Sequence, residues 1–164
     1  DNLFQAIVLQ LENAPNKLWV ILFRRAMIHL SSKIAEDIDA QALISGESVG
    51  QVASQTLSNI RATSDAATYP ILRPVCGMNK EEIVNLAQEI GTYEISIEPY
   101  EDCCSFFVPI HPETKANLDR VIKVESSIEF GDLFNKAIEN TIMVTIQHHD
   151  YVKEKIKKLE EIDG

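Results

Sequence analysis

The segment ALISGESVGQVASQT, residues 42–56, constrains the fold more than any other part of the chain. A short apolar run ends at Gly46, which is typical of a buried strand entering a turn. Ser48 stands where a helix N-cap is expected, and Gln51 three residues later completes a capping-box pattern. The spacing therefore predicts a strand over residues 41–45, a turn at Gly46 and a helix over residues 49–62.

A turn of this kind is a common place for nucleotides to bind in open α/β sheets. The end of the strand and the start of the helix bring free backbone N–H groups and the positive end of the helix dipole to one point. Gly46, Glu47, Gly50, Gln51 and Gln55 in this segment favour a binding site. An ordinary, well-capped connection between a strand and a helix is the alternative.

A second strand–turn–helix unit follows directly. Residues 70–75 read as a short strand, and Asn79 with Glu82 three residues later again matches a capping box. The helix is predicted to end at Gly91, the residue type expected just after a helix C-terminus. Two successive units of this kind predict an α/β fold with a parallel sheet flanked by helices.

Lys80 has an unusual position in this second unit. It stands at the first position of the predicted helix, where the dipole disfavours a positive charge. A lysine beside free N–H groups suits an anion such as a phosphate. A surface lysine without a ligand is the alternative.

The other elements are predicted from the spacing of apolar residues, and the apolar face of each helix is expected to face the core. These faces include Leu18, Leu22, Ala26, Leu30 and Ile34 in the longest helix, Leu57 in the helix over 49–62, and Ile83, Leu86, Ala87 and Ile90 in the helix that ends at Gly91. The longest helix is expected from about Lys17 to Asp37, with Asn16 as its N-cap and Arg24 and Arg25 near its middle. These two arginines either bind an anion or pair with carboxylates on a solvated face. Further helices are expected over residues 1–13, 113–124, 127–140 and 150–162, with a β-rich run over 141–146.

The charge and the apolar runs limit the partners and the location. The formal net charge of −10 repels phosphate backbones on average, so nucleic-acid binding would need a local basic patch or another domain. The longest apolar run, residues 18–23, is too short for a membrane span, and no secretory signal is visible, so we expect a cytoplasmic protein. Because the first residues already fit a helix interior, we expect an excised fragment.

The three cysteines leave several readings open. An odd number argues against a disulfide framework. Cys103 and Cys104 precede an apolar run, which indicates buried thiols, whereas a reactive thiol would need a nearby cation such as Lys80 to offset the preceding acidic residues. The spacing does not favour zinc, and an iron–sulfur cluster held by the three cysteines is a further alternative.

Together these motifs resemble the ATP-pyrophosphatase domain of tRNA 4-thiouridine synthetases, the ThiI family. The resemblance covers roughly residues 1–146, and the predicted charged helix within residues 147–164 has no counterpart. The pair Arg24-Arg25 before the first strand also matches. The ordered motifs are GESVGQVASQT at 46–56, LRPVCGMNKEEI at 72–83, IGTYEIS at 90–96 and PYEDCCSFF at 99–107.

The resemblance implies a fold and a two-step reaction. The fold would be the C-terminal portion of a Rossmann-like domain of the adenine nucleotide alpha hydrolase type. ATP would adenylate a carbonyl oxygen of uridine 8 in tRNA and release pyrophosphate. A persulfide would then deliver sulfur to give 4-thiouridine as AMP leaves. Members of the family also supply sulfur for the thiazole of thiamine.

The resemblance also implies roles for individual residues. Lys80 matches the family's catalytic lysine, which would stabilise charge on the phosphates, and Cys103 matches the cysteine that receives or resolves the persulfide. The implied ATP contacts are Arg24 or Arg25, Gly46 and Gln55, and Glu47, Ser48, Gly50 and Gln51 would shape the same pocket.

ATP and magnesium are the implied cofactors, and no metal site of the protein's own is expected. The implied partners are tRNA, bound through an upstream domain absent here, and a cysteine desulfurase or another sulfur donor. No membrane partner is expected. A homodimer is expected because an exposed sheet edge favours pairing with a second copy.

One family motif has no counterpart in these residues, namely the Ser-Gly-Gly-x-Asp-Ser type loop that binds pyrophosphate. We therefore expect part of a catalytic domain that is inactive alone. A non-catalytic nucleotide-binding or partner subunit is the alternative. Another ATP pyrophosphatase, acting on a different base or amide, is disfavoured by residues 100–103.

Overall fold

The structure is a computed structural model, and it describes residues 7, 10–12, 14–99, 111–128, 130–142 and 144. A short 3₁₀ turn, Asn16–Leu18, leads into the long helix α1. The elements that follow are α1 (Trp19–Asp37), β1 (Leu43–Ile44), a 3₁₀ turn (Ala53–Gln55), α2 (Leu57–Ser64), β2 (Ile71–Leu72), α3 (Lys80–Glu89), α4 (Tyr93–Ser96), α5 (Leu118–Glu125) and α6 (Gly131–Glu139).

The two strands form a small parallel sheet. Leu43 pairs with Ile71 and Ile44 pairs with Leu72. The ladder continues one residue further, because the Ser45 N–H donates to the Leu72 carbonyl at 2.9 Å. Helix α2 lies between the strands in sequence, as the β–α–β order requires for parallel neighbours. The α/β class and the parallel pairing predicted from the sequence are therefore confirmed.

The hydrophobic core is built around α1, which packs against α2, α5 and α6. The predicted apolar stripe of this helix lies in the core at Leu18, Leu22 and Ala26. Its boundaries agree with the prediction, but Asn16 is not its N-cap, since the chain first makes a 3₁₀ turn without a side-chain cap. Other buried members are Ile7, Leu11, Ala62, Val121, Phe130 and Phe134.

The helix predicted over residues 49–62 is wrong in its first half. Helix α2 begins at Leu57, and its N-cap is Thr56, whose Oγ1 accepts from the Asn59 N–H at 3.2 Å. Gly50 has a φ of +81°, a left-handed conformation that a continuous right-handed helix cannot contain. Ser48 does not cap a helix, because its hydroxyl donates to the Met78 carbonyl. As a result Leu57, predicted to face the core, is 71% exposed.

The helix of the second unit is close to its prediction, whereas its strand spans only Ile71–Leu72 and the predicted strand over 70–75 is wrong beyond Leu72. Asn79 Oδ1 accepts from the Glu82 N–H at 3.0 Å, and Glu82 Oε2 accepts from the Asn79 N–H at 2.7 Å, so the capping box is complete. Gly91 has a φ of +73°, which suits the residue after a helix C-terminus. The apolar positions of α3 were predicted to face the core, yet none of its residues is buried.

The C-terminal helices begin later than predicted. Instead of helix from 113 and 127, α5 starts at Leu118 and α6 at Gly131. The segment before α5 is held by Asn59, which donates to the Glu113 carbonyl at 2.6 Å and accepts from the Ala116 N–H at 3.1 Å. These bonds compete with helical hydrogen bonding at the same groups.

Several predictions fall wholly or mostly on residues outside the described ranges. They are the helix over 1–13, Cys103 and Cys104, the β-rich run over 141–146 and the helix over 150–162. Within the described ranges, no helix has the length and apolar character that crossing a membrane requires.

Candidate functional site at the carboxyl ends of the strands

The loops that follow β1 and β2 are hydrogen-bonded to each other. The Val49 N–H donates to the Cys76 carbonyl at 2.9 Å, and Ser48 Oγ donates to the Met78 carbonyl at 2.6 Å. Ser48 is buried, so water does not compete for this bond. Since Met78 is followed by the N-cap Asn79, these bonds place the first loop beside the start of α3.

Glu47 lies at the centre of the first loop and is 4% exposed. One carboxylate oxygen accepts from Arg24 Nη2 of α1, and the other accepts from Arg73 Nε at 2.7 Å. A buried carboxylate is stable only when it is paired and hydrogen-bonded, and the two guanidinium groups meet that need. Glu47 thereby connects α1, the first loop and the end of β2.

The cluster around Glu47 carries more positive than negative charge. Arg24 donates in addition to Ser54 Oγ at 3.4 Å, and Arg73 donates to Ser64 Oγ at 2.6 Å, but both of these acceptors are neutral. Two guanidinium groups therefore share one carboxylate within the described part of the chain. The surplus of one positive charge creates a potential that attracts anions at this end of the sheet.

Backbone donors accompany this charge. The N–H groups of Gly46 and Ser48 have no acceptor among the described residues, whereas the Gly50 N–H is used by the Gln55 carbonyl at 3.0 Å. The N–H groups of Lys80 and Glu81, in the first turn of α3, have no acceptor in that same part of the chain. Free N–H groups at a helix N-terminus suit a phosphate or carboxylate.

The predicted site residues of the two loops differ in accessibility. Gly46, Gly50, Gln51 and Lys80 are exposed, and Gln55 is half-buried. The Lys80 side chain forms no ion pair with any described residue. It is therefore available to a ligand at the start of α3.

Arg25 is separated from this site, although it is adjacent to Arg24 in sequence. Its guanidinium donates to Glu125 at 2.9 and 2.6 Å, to Asp65 at 3.2 Å and to the Ala62 carbonyl, and the side chain is 3% exposed. Burial acts to lower the pKa of Arg25, but the hydrogen bonds and charges of Glu125 and Asp65 raise it overall. Of the two arginines predicted as ATP contacts, Arg24 is the one beside the loop after β1.

Glu125 forms a partly buried cluster with Arg25 and His29. Burial acts to raise the pKa of the Glu125 carboxyl, but hydrogen bonds from His29 and Arg25 and their charges lower it to about 2. His29 Nε2 lies 3.3 Å from Glu125 Oε1. The cluster joins α1 to α5 through the core and has the character of a structural contact.

Neither a cysteine cluster nor a metal site is found among the described residues of the candidate site. Cys76 is a free, half-buried thiol in the loop after β2, and Cys103 and Cys104 lie outside the described residues. No group of three His, Cys, Asp or Glu side chains in the described ranges could hold a metal ion. Both oxygens of Glu47 are already bonded to arginines, so Glu47 is not placed to hold a magnesium ion.

Two cavities adjoin α1 on different sides. One of about 290 Å³ lies between α1 and the sheet and is bounded by Arg24, Glu47, Ile28 and Ile44. A larger one of about 460 Å³ lies between α1, α5 and α6 and is bounded by His29, Glu125 and Phe134. The smaller cavity touches the Glu47 cluster, so it is the one that belongs to the candidate site.

Sequence reasoning missed Arg73, Ser54 and Ser64. Arg73 comes directly after β2 and is followed by a proline, and a cation at the carboxyl end of a strand was a usable signal. The two serines carried no such signal, because their roles depend on how α1 and α2 pack.

Comparisons with known proteins agree with one another. Residues 3–130 match the model of the family described as Thiamine biosynthesis protein (ThiI). A relative from Halothermothrix orenii named "Probable tRNA sulfurtransferase" is 48% identical over 139 residues, which is 84% of this chain and 35% of that protein. A relative of the same name from Acetivibrio thermocellus is 47% identical over 135 residues, 82% of this chain and 34% of its own length.

The fold also matches a solved structure, described as the crystal structure of a 4-thiouridine synthetase–RNA complex with bound ATP. The TM-score is 0.77 at 42% sequence identity, and the match covers 85% of this chain and 37% of the other. This chain therefore spans about a third of the length of the proteins it matches.

Proposed function

The chain belongs to the Thiamine biosynthesis protein (ThiI) family, and from this premise we propose that it forms part of a tRNA sulfurtransferase that uses ATP to make 4-thiouridine. The proposal includes the nucleotide and the RNA, because the solved relative is described as an RNA complex with bound ATP. The location would be cytoplasmic, where its tRNA substrate is made.

The observation that carries the proposal is the contact between the first loop and the start of α3. The Ser48–Met78 and Val49–Cys76 hydrogen bonds bring the free N–H groups of Gly46 and Ser48 near the first turn of α3. Lys80 and the surplus charge of the Glu47 cluster supply positive charge there, beside the carboxylates of Glu81 and Glu82 in the first turn of α3. Such an arrangement suits the phosphates of ATP.

The proposed chemistry is adenylation followed by sulfur transfer. The uridine carbonyl oxygen bonds to the α-phosphorus of ATP as the bond to pyrophosphate breaks. Lys80 stabilises the charge that develops on the phosphate oxygens during this step, the role expected of a preorganised cation. The outer sulfur of a persulfide then bonds to the uridine carbon that carried this oxygen, and AMP leaves. A second thiol attacks the carrier sulfur, so that the sulfur–sulfur bond breaks, 4-thiouridine is released and the two thiols form a disulfide, which a dithiol reductant restores. Magnesium would accompany the nucleotide.

Cys103 is proposed as the residue that receives or resolves the persulfide. It lies outside the described residues, so the proposal rests on its position in the motif PYEDCCSFF. A cysteine desulfurase or another sulfur carrier would supply the sulfur. Sulfur supply for the thiazole of thiamine is a second proposed output, in keeping with the description of the family.

We also propose that residues 1–146 are the C-terminal part of a Rossmann-like ATP-pyrophosphatase domain, followed by a charged helix. Parallel sheets are normally covered on both faces, yet Ile44 is 75% exposed and Leu72 is 54% exposed. Further parallel strands and helices would cover this surface. A second copy could also cover it, which would give the expected homodimer.

A chimera tests this proposal. The upstream portion of the Halothermothrix orenii relative would be joined to this chain in place of its own matching segment. The chimera should form 4-thiouridine in tRNA with ATP and a sulfur donor, and Lys80→Ala should abolish the product. A chimera that binds ATP but makes no 4-thiouridine, beside an active parent, would favour the non-catalytic nucleotide-binding reading instead.

A further inference from the structure

Arg73 joins the two candidate loops to helix α2. Its Nε donates to Glu47 at 2.7 Å, its Nη2 donates to Ser64 Oγ at 2.6 Å, and its Nη1 donates to the Ile71 carbonyl at 3.4 Å. The side chain is 15% exposed. Since each guanidinium nitrogen has an acceptor, the orientation of Glu47 is tied both to β2 and to the C-terminal end of α2.

We propose that Arg73 is a positioning residue that acts through Glu47 to hold the loop after β1 in its nucleotide-binding shape. This inference rests on the proposed function. Glu47 lies between Gly46 and Ser48, and the N–H groups of both these neighbours lack acceptors among the described residues. Fixing the Glu47 side chain therefore fixes the peptide groups on both sides of it.

The charges of the cluster argue for a ligand and not only for a fold contact. A single arginine would neutralise Glu47, and a second half-buried guanidinium adds a desolvation cost without a second carboxylate. A bound phosphate would supply the missing negative charge. Arg73 thus contributes to the site twice, by orienting Glu47 and by leaving the cluster positive.

The test is a double-mutant cycle on this chain, with ATP and pyrophosphate as the probes. Arg73→Gln should weaken binding about tenfold, which corresponds to about 1.4 kcal/mol. Glu47→Gln should weaken it less, because it loosens the loop but leaves the cluster with one more positive charge. The double variant should be no weaker than about tenfold, because two residues that act as one unit are not additive. Arg73→Lys should recover part of the loss, since it restores the charge but not the fork.

Controls separate positioning from general destabilisation. Arg61→Gln removes an exposed arginine of α2 that forms no ion pair with the described residues, and it should leave binding unchanged. Added methylguanidinium should restore binding to the Arg73→Gln variant. Amide hydrogen exchange over residues 45–50 should rise in Arg73→Gln while exchange in α5 stays the same.

The outcomes distinguish a failure of the Arg73 inference from a failure of the proposed function. If folded Arg73→Gln binds ATP as the wild type does, or if the losses of the two single variants multiply in the double variant, Arg73 does not act through Glu47 and the inference is overturned. If neither the wild-type chain nor the chimera binds ATP or pyrophosphate, the proposed function fails. In that case increased exchange at residues 45–50 would still support the link from Arg73 to the loop, and unchanged exchange would refute it.

Discussion

Ser48 Oγ lies 2.6 Å from the main-chain carbonyl oxygen of Met78, and this single bond joins the loop after β1 to the segment that begins α3. The two loops follow neighbouring parallel strands, so their approach is a consequence of the strand pairing. The bond also fixes the position of the first loop beside the start of α3, which carries Lys80.

Removing this bond should loosen the site. Ser48→Ala leaves a carbonyl acceptor without its donor and should lower the free energy of unfolding by about 1 to 2 kcal/mol. Binding of pyrophosphate should weaken as well, because the N–H of residue 48 loses its fixed position. Urea denaturation and isothermal titration measure the two effects. Ser58→Ala is the control, because the Ser58 hydroxyl forms no hydrogen bond with the described residues, and equal behaviour of both variants would contradict the role of Ser48.

Replacing Lys80 should lower the adenylation rate but not the stability of the fold. Its side chain is exposed and forms no ion pair with described residues, so Lys80→Ala should change the free energy of unfolding by less than about 0.5 kcal/mol. In the chimera, loss of a charge-stabilising group should reduce the adenylation rate by about a hundredfold or more. Release of pyrophosphate reports that rate. Lys136→Ala on α6 should be neutral in both assays, and an active Lys80→Ala chimera would remove Lys80 from the mechanism.

Glu125 should make the protein less stable in acid. Its pKa is lowered to about 2 in the folded protein, below its value in the unfolded chain, so the unfolded state binds the proton more readily. The stabilisation is therefore complete above about pH 4.5 and is lost as the pH falls towards about 2.

The variant Glu125→Gln tests this pH dependence. It leaves Arg25 buried with fewer charged partners and should cost about 2 to 3 kcal/mol at pH 7. Denaturant unfolding at pH 7 and at about pH 3 should show the difference between wild type and variant shrinking in acid. A difference that stays constant over this range would contradict the assigned role of the Glu125 charge.

Thr56 should be the true start of α2. Its Oγ1 accepts from the Asn59 N–H and donates to the Thr114 carbonyl at 2.7 Å, so it holds both the helix and the segment before α5. Thr56→Ala should cost about 1 to 2 kcal/mol of unfolding free energy, whereas Thr56→Ser should retain most of the stability. If Thr56→Ala proves neutral in thermal unfolding, the assigned helix start is wrong.

The sequence patterns predicted the structure correctly where the interactions involve residues close together in sequence. The capping box of Asn79 and Glu82 and the glycine after α3 need only a few neighbouring residues, and both are found in the structure. The start of α2 was misplaced because the hydroxyl of Ser48 bonds to Met78, thirty residues away in sequence. A capping pattern in the sequence does not reveal such a competing acceptor.

The candidate site was predicted in part for the same reason. The loop after β1 and Lys80 follow from strand–turn–helix patterns, and the structure places both at the carboxyl ends of the strands. The different positions of Arg24 and Arg25 depend on Glu47 and Glu125, and only packing decides which carboxylate each arginine meets. Arg73 joined the site through that same packing.

The most direct test of phosphate binding by these two loops is an NMR titration. The isotopically labelled chain is titrated with ATP and with pyrophosphate while its backbone amide resonances are monitored. If the loops after β1 and β2 bind the phosphates, we expect the amide resonances of Gly46, Ser48 and Lys80 to shift. The Arg73 resonance should shift less, and resonances around Ser126, beside the larger cavity, should not shift. Shifts confined to the larger cavity between α1, α5 and α6, or no shifts at millimolar ligand, would contradict the claim that these two loops bind the phosphates of ATP.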